Sequence, residues 1–88
     1  MKILDYGGGV GGILDHFDSS NTKYLADYYD PYLEYALTKN INSTKGGWDK
    51  INFKADVVIL SHVIEHWNNF EYEIQNLINI QKKNQTLN

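Results

Sequence analysis

Asp5 and the glycines that follow it are the residues of this sequence best suited to holding a ligand. Residues 3–12 read Ile-Leu-Asp-Tyr-Gly-Gly-Gly-Val-Gly-Gly and contain five of the chain's seven glycines. Glycine tolerates positive φ and lets a ligand approach the backbone where a Cβ would collide. A strand that runs through such a turn into a helix presents unpaired N–H groups to a polar or anionic ligand. The pattern predicts a nucleotide-type cofactor site at this turn.

Two glycine spacings in this turn indicate different cofactors. Gly7, Gly9 and Gly12 match the Gly-x-Gly-x-x-Gly pattern of dinucleotide-binding proteins, although a tight strand-to-helix connection can use the same glycines. Gly7, Gly9 and Gly11 also occupy every second position after Asp5. At the carboxyl end of a strand, the Asp5 carboxylate would repel a pyrophosphate and attract a cationic group. Asp5 therefore favours a cofactor that carries positive charge.

Asp27 is the second candidate ligand-binding acid. It ends the second predicted strand, 20 residues after Gly7, where nucleotide-binding sheets place an acid that accepts hydrogen bonds from ribose hydroxyls. The next residue, Tyr28, could lie against an adenine face. An ordinary polar residue at a strand end is the alternative for Asp27. Asp30 is better explained as a helix N-cap, because Pro31 follows it.

A third candidate group follows the last apolar strand. Ser61 and His62 would emerge at the same edge of the sheet as the glycine turn. His62, Glu65 and His66 also match the His-x-x-Glu-His zinc pattern, but that pattern needs a long helix, and here a β-branched strand precedes it. We therefore predict no metal site. His66 fits catalysis or packing of the strand-to-helix turn, and no serine or cysteine nucleophile accompanies either histidine.

Composition narrows the class of protein. The 88 residues allow one small domain, and 42% of them are hydrophobic, enough to form a core. The net charge of −3, with no stripe of lysine or arginine, argues against nucleic acid. No apolar run is long enough to span a membrane. The absence of cysteine fits a reducing environment, so we expect a cytoplasmic protein.

Apolar periodicity predicts the elements that position these residues. We expect strands over 2–6, 24–28 and 55–61, helices over 11–17, 30–39 and 69–82, and a loop over 40–54 with one short strand around 51–53. The last helix carries a stripe formed by Phe70, Ile74, Leu77, Ile78 and Gln81. Alternating strands and helices predict an α/β fold. We expect a Rossmann-like, doubly wound parallel sheet of about three or four strands with flanking helices. The sheet would be incomplete.

Three segments together resemble the class I S-adenosylmethionine-dependent methyltransferases. Residues 3–11 look like the first motif of that family, and Leu25-Ala26-Asp27 with Pro31 and Leu33 looks like its second strand and the following helix. Residues 56–66, which read Asp-Val-Val-Ile-Leu-Ser-His-Val-Ile-Glu-His, look like its fourth strand. The three segments occur in the family's order, and the resemblance covers about residues 2–80.

The resemblance implies a role for each matching residue. Gly7, Gly9 and Gly11 would line the methionine part of S-adenosylmethionine, with Asp5 near its ammonium group and Tyr6 beside them. Asp27 would bind the ribose hydroxyls, and Tyr28 would pack on the adenine. Ser61 and His62 would border the sulfonium and the acceptor pocket. His62 or His66 could act as a base where the acceptor must lose a proton.

Two departures from the family pattern shape the expected function. Between Ala36 and Asp56 about 20 residues stand where the family places a third strand and an adenine-contacting acid, for which Asp49 is the candidate. We also expect residues 1–88 to form one cofactor-binding domain truncated on its C-terminal side, because the family's later strands are missing. An exposed sheet edge would then be covered by a partner chain or by self-association.

These observations favour a methyltransferase with a small-molecule acceptor. Two alternatives stay open at the level of sequence. One is a non-catalytic, methyltransferase-like module that binds a partner through its incomplete sheet. The other is a fragment of an NAD-binding oxidoreductase, which Asp5 and the strand ending in His62 disfavour.

Overall fold

A computed structural model describes residues 1–7, 12–60 and 63–81 and contains one four-stranded sheet. The strands are β1 (Lys2–Tyr6), β2 (Thr22–Asp27), β3 (Asn42–Lys45) and β4 (Val57–Ile59). Their order across the sheet is β3-β2-β1-β4, and every pair is parallel. Two α-helices follow β2 and β4, namely α1 (Asp30–Thr38) and α2 (Phe70–Ile80). Short 3-10 helices cover Leu14–His16, Trp48–Lys50 and Ile64–His66.

The two faces of the sheet are covered by different helices, as a doubly wound fold requires. On one face Ile3 and Leu25 pack against Leu33 and Ala36 of α1. On the other face Leu4 and Ala26 pack against Trp48 and against Ile80 of α2. This division follows from the strand period of two, because neighbouring residues of β1 point to opposite faces. The predicted α/β, Rossmann-like fold class is confirmed.

The third strand lies where the sequence predicts a loop. β3 has the sequence Asn-Ser-Thr-Lys, and its Ser43 pairs with Leu25 of β2. β3 is an edge strand with no buried residue, so it carries no apolar pattern. The strand predicted around 51–53 is wrong, because Ile51 and Phe53 pack against the core without joining the sheet. They belong to the connection between β3 and β4.

Two predicted elements are shorter than expected. The helix expected over 11–17 is, in its described part, the 3-10 helix Leu14–His16. Glycine disfavours helix by about 1 kcal/mol, and so short a segment cannot offset the cost of nucleation. β4 is confined to Val57–Ile59, while Ala55 forms an isolated bridge with Gln81 beyond the end of α2.

Both α-helices differ from their predicted details at individual residues. The N-cap of α1 is Tyr29, and Asp30 is the first helical residue instead of the cap. The Asp30 carboxylate instead lies 3.0 Å from Nζ of Lys45 at the end of β3. In α2, which Asn69 caps through its side chain, Phe70 and Ile78 are each 57% exposed. The predicted apolar stripe is therefore wrong at those two positions, and Ile80 is the buried residue of the helix.

No helix in residues 1–7, 12–60 and 63–81 is both long enough and apolar enough to span a membrane.

Candidate functional site

Asp5 is a buried carboxylate near the carboxyl end of β1, one of the two inner strands of the described sheet. Its side chain is 1% exposed, and it pairs in register with Leu25 of β2 and Ile59 of β4. No described residue forms a hydrogen bond with either carboxylate oxygen. Burial, and secondarily the negative charge of Asp27, raise the pKa of Asp5 to about 6. A group in this state is stabilised by a cationic ligand, which would supply both charge and hydrogen-bond donors.

Asp27 lies on the neighbouring strand at the same edge of the sheet. Its Oδ1 accepts hydrogen bonds from the backbone N–H groups of Tyr28 at 2.7 Å and Tyr29 at 3.2 Å. These two bonds turn the chain away from the sheet immediately before α1 and fix the orientation of the carboxylate. The site thus has one buried and one partly exposed acid on adjacent parallel strands.

The glycine turn begins with a residue that must be glycine. Gly7 has φ of 69°, and its N–H donates to the carbonyl oxygen of Ala26 at 2.6 Å. A Cβ at Gly7 would lie 2.9 Å from Cγ1 of Val63. The segment that follows β4 therefore packs directly against the turn that follows β1. This contact brings two of the three predicted motifs together.

Two adjacent glycines, Gly46 and Gly47, border the site on the side of β3. Gly46 donates its N–H to the carbonyl oxygen of Asp27 at 3.0 Å. A Cβ on Gly47 would lie 2.7 Å from the hydroxyl oxygen of Tyr28 and 3.0 Å from that of Tyr6. The two tyrosine hydroxyls therefore converge on the backbone of Gly47. Burial, and then the neighbouring Tyr28 hydroxyl, raise the pKa of Tyr6 well above its usual range, so the phenol stays protonated.

Trp48 connects this edge of the sheet to α2. Its ring stacks on Tyr6 with centroids 3.6 Å apart and planes 8° from parallel. Its Nε1–H donates to Oε1 of Glu73 at 2.6 Å. Trp48 is 6% exposed, and its indole ring contacts that of Trp67 edge to face at 6.4 Å. The aromatic contacts and the indole hydrogen bond fix the connection after β3 against the start of α2.

Four of the predicted site residues lie outside the described residues, and two others are exposed. Gly9, Gly11, Ser61 and His62 lie outside the described residues. His66 is exposed in the 3-10 helix Ile64–His66, whose three residues cannot form the long helix that the zinc pattern needs. Among the described residues, no three His, Asp or Glu side chains are grouped closely enough to hold a metal. Asp49, the candidate adenine-contacting acid, is exposed in Trp48–Lys50.

The residues that the sequence did not single out are Gly47, Glu73 and Val63. The sequence does contain a signal for Gly47, because it follows Gly46 and two adjacent glycines indicate a tight turn. Glu73 and Val63 carry no local signal, since their contacts with Trp48 and Gly7 join distant parts of the chain. Trp48 is buried in the core at this edge, and the partly buried Trp67 packs against it.

Comparisons with known proteins agree with the observed fold. The family model of a methyltransferase domain matches residues 1–87. The plantazolicin methyltransferase BpumL, solved with a triazolic desmethylPZN analog and SAH, has a similar fold with a TM-score of 0.77 at 18% identity. Its complex with a pentazolic analog and SAH gives 0.78 at 17% identity. Each comparison covers 93% of this chain and 35% of the other, so the chain spans about a third of BpumL. No curated protein matches the chain.

Proposed function

The chain belongs to the family of methyltransferase domains, and we propose that residues 1–88 form one domain that binds S-adenosylmethionine for methyl transfer to a small molecule. The observation that carries this proposal is the buried Asp5 carboxylate at the carboxyl end of β1, which no described residue satisfies. The ammonium group of the cofactor supplies the charge and the donors that this carboxylate needs. The solved complexes of BpumL with SAH support the same assignment.

The charge of this edge favours S-adenosylmethionine over a dinucleotide. Asp5 and Asp27 are close enough for the charge of Asp27 to raise the pKa of Asp5. A pyrophosphate would add two further negative charges beside them, whereas the sulfonium and ammonium groups of S-adenosylmethionine are cationic. The NAD-binding alternative is therefore disfavoured by the electrostatics of the described residues.

The remaining residues fit the other parts of the cofactor. Asp27, held by the N–H groups of Tyr28 and Tyr29, would accept hydrogen bonds from the ribose hydroxyls. The ring of Tyr28 is 70% exposed and can offer an apolar face to adenine. Gly7 would allow the methionine part to approach the backbone. Gly9, Gly11, Ser61 and His62 are assigned to the site by the sequence alone.

The chain contributes position and shielding to the reaction. When bound, S-adenosylmethionine supplies an electrophilic methyl group. Val63, packed against Gly7, would border the bound methionine part and shield it from water. Where the acceptor must lose a proton, His66 at the exposed rim, or His62, would take it on an imidazole nitrogen. A cytoplasmic location is part of this proposal and rests on the absence of cysteine.

Calorimetry with S-adenosylhomocysteine, S-adenosylmethionine and NAD tests the proposed cofactor. We expect both adenosyl compounds to bind and NAD to bind far more weakly. Asp27→Ala should weaken S-adenosylhomocysteine binding by about tenfold or more, which corresponds to about 1.4 kcal/mol. Asp15→Ala, which removes an exposed carboxylate from Leu14–His16, is the matched control and should leave the affinity unchanged. Binding of NAD alone would overturn the proposal.

The outer edge of β4 favours a second candidate function, a non-catalytic binding module. β4 is the last strand of the described sheet, and its residues Val57–Ile59 are only partly buried. A partner chain or a second copy could pair with that edge. Light scattering distinguishes the candidates when combined with calorimetry. An obligate dimer that does not bind S-adenosylhomocysteine would favour the second candidate over the first.

A further inference from the structure

A continuous run of aromatic rings leads away from the proposed cofactor site. This aromatic run consists of Tyr6, Trp48, Trp67 and Phe70. Successive ring centroids lie 3.6, 6.4 and 5.8 Å apart, with interplanar angles of 8°, 63° and 55°. It begins at the last residue of β1 and ends at the first residue of α2.

The outer half of the aromatic run follows directly on the segment that packs against the glycine turn. Val63 packs against Gly7 of the glycine turn, and the chain then passes through Ile64–His66 to Trp67. The backbone N–H of Trp67 donates to the carbonyl oxygen of Ile64 at 3.1 Å, which closes the 3-10 turn before Trp67. The outer half of the run therefore continues the wall that lines the glycine turn.

The inner and outer ends of the aromatic run differ in exposure. Tyr6 and Trp48 stack face to face, and Trp48 is 6% exposed, so the stacked faces at the inner end are closed to a ligand. Phe70 is 57% exposed although Leu77 and Ile80 of the same helix pack in the core. The planes of Trp67, which is half-buried, and Phe70 meet at 55°, so the two contacting rings form a corner. A flat ring can contact both faces of such a corner, in offset and edge-to-face geometry.

Charge around this corner selects the kind of ligand. Glu71 and Glu73 lie in the first turn of α2, and Asp49 follows Trp48. Among the described residues that adjoin the aromatic run in sequence, the basic ones are Lys50, which ends Trp48–Lys50, and His66. Carboxylates thus outnumber the permanent positive charges, which disfavours an anionic ligand and favours a neutral or cationic one.

We propose that the methyl acceptor is a flat aromatic molecule, neutral or cationic, whose ring system packs against Trp67 and Phe70. This inference rests on the proposed function, because it identifies the acceptor side of the same site. It names the chemical class of the acceptor and assigns two residues to its recognition.

Titration with three fragments, followed in a 15N–1H correlation spectrum, tests the inference. The only two tryptophans of the chain both belong to the aromatic run, so both indole N–H signals report on it. The fragments are naphthylmethylamine (flat and cationic), naphthoate (flat and anionic) and cyclohexylmethylamine (cationic without a flat ring). We expect saturable shifts of the Trp67 signal with naphthylmethylamine, and binding weaker by about fivefold or more for the other two.

Variants separate a ring contact from general apolarity. Phe70→Leu keeps an apolar side chain but removes the ring, and we expect it to weaken naphthylmethylamine binding by about fivefold. Phe70→Tyr should retain binding. Tyr35→Leu is the control, since Tyr35 is exposed on α1. Phe70 is exposed, so its variants should keep the dispersed spectrum of the folded chain.

Each outcome decides between the two proposals. Equal binding of naphthylmethylamine and cyclohexylmethylamine, or full affinity in Phe70→Leu, would overturn the inference. Concentration-dependent broadening of the Trp67 signal without a fragment would assign the corner to self-association and also overturn it. If S-adenosylhomocysteine binds but naphthylmethylamine does not, the inference fails and the proposed function stands. If only naphthylmethylamine binds, the proposed function fails, and with it the identification of the bound ring as a methyl acceptor.

Discussion

Compared with the wild-type chain, Asp5→Asn should gain stability as the pH rises from acid to neutral. The pKa of this buried carboxyl rises from 3.8 to about 6 on folding. At 1.36 kcal/mol per pKa unit, ionised Asp5 costs the folded state up to about 3 kcal/mol above pH 6. A raised carboxyl pKa means that the folded state binds the proton more tightly. The cost therefore disappears as the pH falls through 6 towards 4.

Urea unfolding of both proteins between pH 4 and pH 7 measures this effect. The stability of Asp5→Asn relative to the wild-type chain should increase by roughly 2 kcal/mol over that range. Any constant penalty for burying the asparagine amide cancels, because it is the same at every pH. Asp15→Asn, at an exposed position, is the control for the loss of one charge.

A difference between Asp5→Asn and the wild type that does not change with pH would refute this reasoning. It would mean that Asp5 is not buried in its ionised form in the folded chain, or that it has a partner that stabilises the charge. A cationic ligand would then not be needed to balance the charge of Asp5.

Three further predictions follow from packing and backbone geometry, each measured by urea unfolding. Gly7→Ala should cost at least about 1–2 kcal/mol, because φ is 69° and the added Cβ has no room; an unchanged midpoint would contradict the described turn. Ile80→Ala should cost about 2–4 kcal/mol, whereas Ile78→Ala should cost less than about 0.5 kcal/mol, since the two side chains are 7% and 57% exposed. Equal losses would show that α2 does not pack against the sheet through the face that carries Ile80. Asp30→Asn breaks an exposed ion pair and should change stability by less than about 1 kcal/mol, with a larger loss arguing for a buried pair.

The sequence predicted those parts of the fold that carry strong local patterns. β1 and α1 follow from an apolar run and from the Pro31 start signal, and the structure places both close to their predicted bounds. β3 could not be predicted because a half-exposed edge strand needs no apolar residues, and Asn42–Lys45 has none. In α2 the pattern allowed more than one apolar stripe, and only contact with the sheet selects Ile80 over Phe70.

The candidate site was predictable where it lies at strand ends. Asp5 and Asp27 each close an apolar segment, and parallel strands bring such ends to one edge of the sheet. The Trp48–Glu73 hydrogen bond and the contact of Val63 with Gly7 join segments far apart in the chain. Local spacing contains no information on such contacts. The exposure of the Phe70 ring likewise depends on α2 packing against the core through other residues, which local spacing does not determine.

Calorimetric comparison of S-adenosylhomocysteine with methylthioadenosine on the wild-type chain and on Asp5→Asn tests the central claim most directly. The two ligands share the adenosine, but only S-adenosylhomocysteine carries the amino acid part with its ammonium group. We predict that Asp5→Asn weakens S-adenosylhomocysteine binding by about tenfold or more and leaves methylthioadenosine binding unchanged. Equal affinity of both proteins for S-adenosylhomocysteine would contradict the account, as would its failure to bind the wild-type chain.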